Sequence, residues 1–194
     1  MNRMKRLLAL PLAALALLTI AACGDDSDTD AGAAAEGHNS ADVTFATDMV
    51  PHHAQAVQMA EMALEQASSQ QVSDLAEQIK AAQQPEIEQM TAWLEAWGEP
   101  TPDTSMSGMD HGDMSMPGMM SSEDMDRMAA AQGAAFDRMW LEGMIQHHEG
   151  AITQAETELE NGENADAQAL ADVIIEAQTA EIDIMTGLLD NLDS

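Results

Sequence analysis

The chain has 194 residues, six Lys and Arg against 35 Asp and Glu, and a formal net charge of -29. A chain this acidic has no basic face with which to neutralise phosphates, so nucleic acid is excluded as a partner. With one Cys and 17 Met, neither a disulfide framework nor a multi-thiolate metal site can be built, and the thioether is the soft donor in supply.

The first 23 residues read as a bacterial lipoprotein signal. "MNRMKR" supplies Arg3, Lys5 and Arg6, "LLALPLAALALLTI" is an apolar run short for a membrane span, and "IAAC" ends on Cys23 as a lipobox does. An ordinary cleaved signal or an anchor helix are the other readings of the same stretch. The lipobox implies lipidation of Cys23, loss of the preceding residues, and a location outside the cytoplasm on the bacterial cell membrane. In that oxidising space a metal site needs ligands that cannot pair into disulfides. Loss of the leader leaves Lys80, Arg127 and Arg138 as the basic residues of the mature chain.

Residues 24–41, "GDDSDTDAGAAAEGHNSA", are small and acidic without periodicity, and read as a flexible tether in which His38 is incidental. From about Asp42 the apolar spacing becomes three and four: Phe45, Met49, His53, Val57, Ala60 and Leu64. Pro51 should kink this first helix or mark its true start. A second helix is expected from about Val72 to Trp97, with Leu75, Ile79, Ile87, Met90 and Leu94 on one stripe, a kink at Pro85, and a stop at Gly98. Residues 42–98 thus form a helical hairpin.

Residues 99–120, "EPTPDTSMSGMDHGDMSMPGMM", read as a Met- and His-rich linker. Met106, Met109, Met114, Met116, Met119 and Met120 surround His111, and thioethers two or three residues apart on a mobile chain can wrap Cu(I). A low-complexity linker that happens to be Met-rich is the plain alternative. The third helix is expected to start at "SSEDMDRMAA", with Ser121 or Ser122 as N-cap and acids in the first turn. It carries Phe136, Trp140, Met144, Ile152 and Leu159 inward. "ENGENAD" at 160–166 is a turn, and the fourth helix runs from about Asp166 to Leu189. Residues 121–194 are the second hairpin, and no segment alternates as a strand does.

The two hairpins repeat at a constant shift of 95 residues. Met49 falls on Met144, His52 on His147, His53 on His148, Gln83 on Gln178, Glu86 on Glu181 and Met90 on Met185. An unbroken register across two helices indicates a duplicated hairpin, and two such hairpins make an all-α four-helix bundle.

The repeated element has chemistry in it. His52 and His53 lie three and four residues after Met49, on one helix face, and His147 and His148 stand likewise to Met144. Thioether plus imidazole suits copper, Cu(I) above all, with Ag(I) as its analogue. Gln83, Glu86, Gln178 and Glu181 on the partner helices could complete or orient such a site. The bland alternative is that both Met are core residues and that one His of each pair is a satisfied core histidine. Met59, Met62, Met125, Met128 and Met139 read as core filling, and Trp93, Trp97 and Trp140 as core or helix-end packing.

"MVPHHAQAVQMAEMAL" and "FDRMWLEGMIQHHEGAITQAETEL", with "AQTAEIDIM" behind them, resemble the family known as domain of unknown function 305. That resemblance covers about residues 42–190 and implies a compact ferritin-like helical bundle. Some members, called CopM, are associated with copper binding and resistance. It implies copper handling carried by Met49, His52, His53, Met144, His147 and His148. Pro51 matches the family's usual proline before the His pair, and Gln146 departs from it. Di-iron chemistry does not follow, because Glu is absent three residues before each of the four histidines.

Three functions are open at this point. The first is an extracytoplasmic, lipid-anchored copper protein that sequesters or relays the metal, with other copper-handling proteins as partners and no catalytic residues. The second is a metal-free helical interaction module. The third is a ferritin-like metallo-oxidase.

Overall fold

The computed structural model describes residues 37–103 and 116–192, which fall in one compact unit. Cys23, Met106, Met109, His111 and Met114, with the leader and most of the tether, lie outside the described residues. Five helices follow in chain order: α1 (Ser40–Gln66), α2 (Gln70–Trp97), α3 (Ser122–Ala130), α4 (Ala134–Asn161) and α5 (Ala165–Leu192). The protein is all-α: no strand occurs among the described residues, and the four long helices pack as α1 on α2, α4 on α5, and α1 on α4.

Local chemistry sets the helix ends. Asn39 caps α1 in a capping box with Asp42. Gly98 ends α2 with φ 77°, a left-handed conformation that a Cβ would disfavour. Pro51 lies well inside α1 and Pro85 inside α2; of the two sequence readings of Pro51, the start of the helix is ruled out. The third helix expected from the sequence is split in two. It begins at Ser121, whose side chain accepts from the Asp124 amide, but stops at Ala131 and restarts after Gly133, which has φ 62°. Met125 and Met128 are buried on the short α3, so the break turns two Met inward without extending α4.

Two carboxylates tie the hairpins together. Asp137, at the start of α4, accepts from the amides of Ser68 and Ser69 at 2.9 Å and from the Ser68 hydroxyl at 2.5 Å. Asp42, the same position in the first repeat, accepts from the amides of Glu163 and Asn164 at 3.0 and 2.9 Å. Each helix start therefore satisfies the turn of the other hairpin, as a duplicated fold with pseudo-two-fold symmetry requires. Burial by itself would raise the Asp42 pKa, but the surrounding amides hold it below the usual carboxylate range.

The apolar core falls into two clusters. One holds Ala56–Ala63 of α1, Val72–Ile79 of α2, Phe136–Met144 of α4 and Met185 of α5. The other holds Phe45–Val50, Met90 and Leu94, Ala151 and Ala155, and Ala167–Ile174. In every long helix the residues between the two clusters are the polar ones of the repeat: His52 and His53, Gln83 and Glu86, His147 and His148, Gln178 and Glu181. A polar layer thus crosses the middle of the bundle. Trp140 is wholly buried and its indole N–H donates to the Met59 carbonyl at 2.9 Å. Trp93 and Trp97 are half-buried and stack at the end of α2, and His38 stacks on Trp97 at 4.6 Å rather than lying loose in a tether. Leu64, expected to face inward, is exposed.

Candidate metal centre

The polar layer is built from side chains that folding has taken out of water. His52, His53, His147 and His148 are all fully buried. The His53 ring donates through Nε2 to Glu86 Oε2 at 2.7 Å, and the His148 ring donates through Nε2 to Glu181 Oε2 at 2.7 Å. The two contacts are the same contact written twice, one in each repeat. Each contact selects the Nε2–H tautomer over the Nδ1–H one, and in that tautomer the lone pair is on Nδ1. Neither Nδ1 has a hydrogen-bond partner.

The inner rings meet across the pseudo-symmetry. The His52 and His147 ring centroids are 3.8 Å apart, tilted by 42°. His52 donates through Nε2 to the Pro117 carbonyl at 3.1 Å, and its Nδ1 is unpartnered. His147 has a hydrogen bond at neither ring nitrogen; the His52 carbonyl lies near its ring, outside hydrogen-bond geometry. Burial, reinforced by the other imidazoles, pushes the His52 pKa down to about 3 and that of His147 well below its ordinary value. Both rings are therefore neutral at pH 7, the form that ligates a metal.

Gln83 and Gln178 are 3% exposed and also carry unpartnered side-chain atoms. So many orphaned polar atoms in one layer is unusual, because an unsatisfied buried group costs about 1–3 kcal/mol. Met49 and Met144 are fully buried, one on each side of the layer: Met49 packs in the cluster with Met90 and Leu94, Met144 in the cluster with Phe136 and Trp140. Both are core residues, as the bland alternative has it, and both adjoin the layer. Among the described residues no group of three or more His, Cys, Asp or Glu is gathered closely enough to hold a metal ion as it stands. The outer rings turn toward their glutamates on α2 and α5, so four imidazoles share a layer without converging on one point. The unpartnered imidazole nitrogens of the layer are nonetheless donors of the kind that suits copper.

The end of the Met-rich segment is not a free linker. Residues 116–120 lie along α1 and α4, with the Met119 amide donating to the Met116 carbonyl at 3.3 Å. Met116 and Met119 are half-buried there. Met119, Met120 and Met139 border an open groove of about 680 Å³ against α4. Sequence reasoning missed Gln55, which is fully buried and bonds the Met120 backbone twice. Its signal was available, since Gln55 breaks the repeat by falling on Gly150.

The bundle and its duplicated His–Glu layer define a class: small all-α proteins with a buried imidazole centre at mid-bundle. The chain belongs to the DUF305 family, described as a domain of unknown function, whose model matches residues 42–189. A DUF305 protein of Streptomyces coelicolor is 30% identical with TM-score 0.72, over 80% of this chain and 95% of its own. A DUF305 fragment of Deinococcus radiodurans is 29% identical with TM-score 0.70, over 79% and 97%. CopM in its Cu(II)-bound form is 36% identical with TM-score 0.67, over 77% and 96%, and in its Cu(I)-bound form 34% identical with TM-score 0.64, over the same shares. CopM has also been solved with Ag bound. No curated protein matches the chain.

Proposed function

We propose that this protein is an extracytoplasmic, lipid-anchored copper-binding protein that sequesters or relays the metal, favouring Cu(I), without turnover. The observation that carries the proposal is the duplicated outer pair: His53 with Glu86 and His148 with Glu181, each glutamate holding Nε2–H and leaving a buried Nδ1 lone pair unpartnered. A ligating histidine usually donates its other ring nitrogen to a carboxylate or carbonyl, and this arrangement supplies that partner in advance.

His52, His53, His147 and His148 would hold the metal with Met49 and Met144. Glu86 and Glu181 orient the outer rings. Copper bound there would be shielded from water and from oxidants. The binding of Cu(I), Cu(II) and Ag by CopM, a relative at 32–36% identity, supports the reading. The Met-rich segment with Met106, Met109, His111, Met114, Met116 and Met119 would act as a capture element. Thioethers do not titrate, so that capture would persist in acid. The anchor rests on the lipobox at Cys23. No helix among the described residues is long and apolar enough to cross a membrane.

Thermal unfolding with and without Cu(I) under reductant tests the proposal. A site filled at a hundred times its Kd adds about 2.7 kcal/mol of stability, a rise in Tm of roughly 5–10 °C for a domain of this size. An unchanged Tm with both Cu(I) and Ag(I) would favour the metal-free interaction module, with the His pairs serving packing or docking.

A further inference from the structure

Three of the four imidazoles share one arrangement: Nε2–H held by an acceptor, Nδ1 free. For His53 and His148 the acceptor is a glutamate on the neighbouring helix of the same hairpin. For His52 it is a backbone carbonyl, that of Pro117, from the end of the Met-rich stretch. A backbone carbonyl is a competent tautomer-setting partner only if its chain is held still.

The segment is held by three features. The Gln55 amide donates to the Met120 carbonyl at 2.9 Å while its carbonyl accepts from the Met120 amide at 2.8 Å, a two-bond clamp from a fully buried side chain. Gly150 lets the segment touch α4: a Cβ there would stand 2.1 Å from the Pro117 carbonyl oxygen. Gly118 has φ 80°, and a Cβ on it would come within 2.6 Å of the Gln146 carbonyl oxygen. Under the repeat Gln55 and Gly150 are the same position. One holds the segment and the other makes room for it, so the duplicated bundle accepts a single segment in a single direction.

We propose that residues 116–120 form a strap that fixes His52 as an Nδ1 metal ligand, with Gln55 and Gly150 as positioning residues acting through the Pro117 carbonyl. The proposal rests on the copper reading for the ligand role, and on geometry alone for the tautomer. Among the described residues no such segment holds a ring nitrogen of His147, so the two halves of the centre are inequivalent: the His52 tautomer is set before metal arrives and that of His147 is not set by a strap.

The test is long-range proton–nitrogen NMR of the histidine rings in the intact metal-free chain at neutral pH, for the unsubstituted protein, Gln55→Ala and Gly150→Ala. Exchange of the Met120 amide reports whether the strap has been released, and Cu(I) competition against a chelator is measured alongside. His52 is expected as the Nε2–H tautomer in the unsubstituted chain. In both variants it should become a tautomer mixture, with His53 and His148 unchanged, Met120 exchange at least tenfold faster, and Cu(I) affinity roughly tenfold weaker. Gly150→Ala acts by clash and Gln55→Ala by loss of the clamp, so a folding failure of one leaves the other. A His52 signal that stays the same while Met120 exchange shows the strap released overturns the proposal, as does an Nδ1–H tautomer in the unsubstituted chain. Absence of Cu(I) binding with the tautomer effect intact overturns the copper reading and supports the strap's hold on His52.

Discussion

At the level of single residues, packing and ligation can be separated in Met49 and Met144. Both are wholly buried, and a Met-to-Leu exchange nearly conserves volume, so Met49→Leu and Met144→Leu should each change stability by less than about 1.5 kcal/mol. Each should still weaken Cu(I) binding, measured by chelator competition, by tenfold or more. Equal affinity in the Leu variants would leave both Met as core residues only. Glu86→Ala should weaken copper by roughly 10–100-fold by releasing the His53 ring, whereas Glu86→Gln, which can still accept from Nε2–H, should cost less. The sequence made these residues visible because the repeat doubled them. It could not show that the glutamates bond the outer histidines and not the inner ones, since that depends on how α2 and α5 rotate against their partners.

Titration at the same scale gives stability two opposed slopes. His52 is held to about 3 and His147 well below 6.5, while in the unfolded chain both return to about 6.5. The unfolded state then binds more protons, so stability is full above about pH 6.5 and declines as pH falls toward 3. Glu158 has the opposite sign. Burial, with the Asp42 carboxylate beside it, raises it from 4.5 to about 8, so the folded state keeps a proton that the unfolded state has lost. Its contribution declines as pH rises from about 4.5 through 8. Urea unfolding midpoints against pH should show both limbs, and Glu158→Gln should flatten the alkaline one while leaving the acid limb in place.

At the element scale the reciprocal carboxylates carry the duplication. Asp137→Ala removes three hydrogen bonds that close the α1–α2 turn and should destabilise by about 3 kcal/mol, since bonds to a charged acceptor are worth about 1.5–3 kcal/mol each and the freed groups partly regain water. Urea unfolding checks this, and a loss under about 0.5 kcal/mol would contradict it. The helices themselves were legible from three- and four-residue spacing, and the αL stop at Gly98 from the glycine. Two features were not. The break at Ala131–Gly133 turns on the single Gly133, which takes φ 62°, within a run otherwise rich in Ala, and Met125 and Met128 are buried on the short element before it. The docking of residues 116–120 escapes any pattern reading, because backbone groups of Pro117 and Met120 make the contacts and only Gln55 and Gly150 betray them.

At the scale of the whole molecule, duplication places one polar layer between two apolar clusters. Apolar packing lies on either side of the layer, and the layer itself holds ring nitrogens without hydrogen-bond partners, the donors on which the proposed copper site rests. The acidic surface, with 35 Asp and Glu against six Lys and Arg in the chain, raises the local cation concentration around it. The most direct measurement is an anaerobic Cu(I) competition titration of the protein beside a variant in which His52, His53, His147 and His148 are all Ala, with residues 104–115 intact in both. The unsubstituted protein should outcompete a chromogenic chelator, and the variant, still helical by circular dichroism, should lose the tight fraction and retain only weaker binding by the Met-rich segment. Equal tight binding by the two proteins would contradict the assignment of the copper centre to the polar layer.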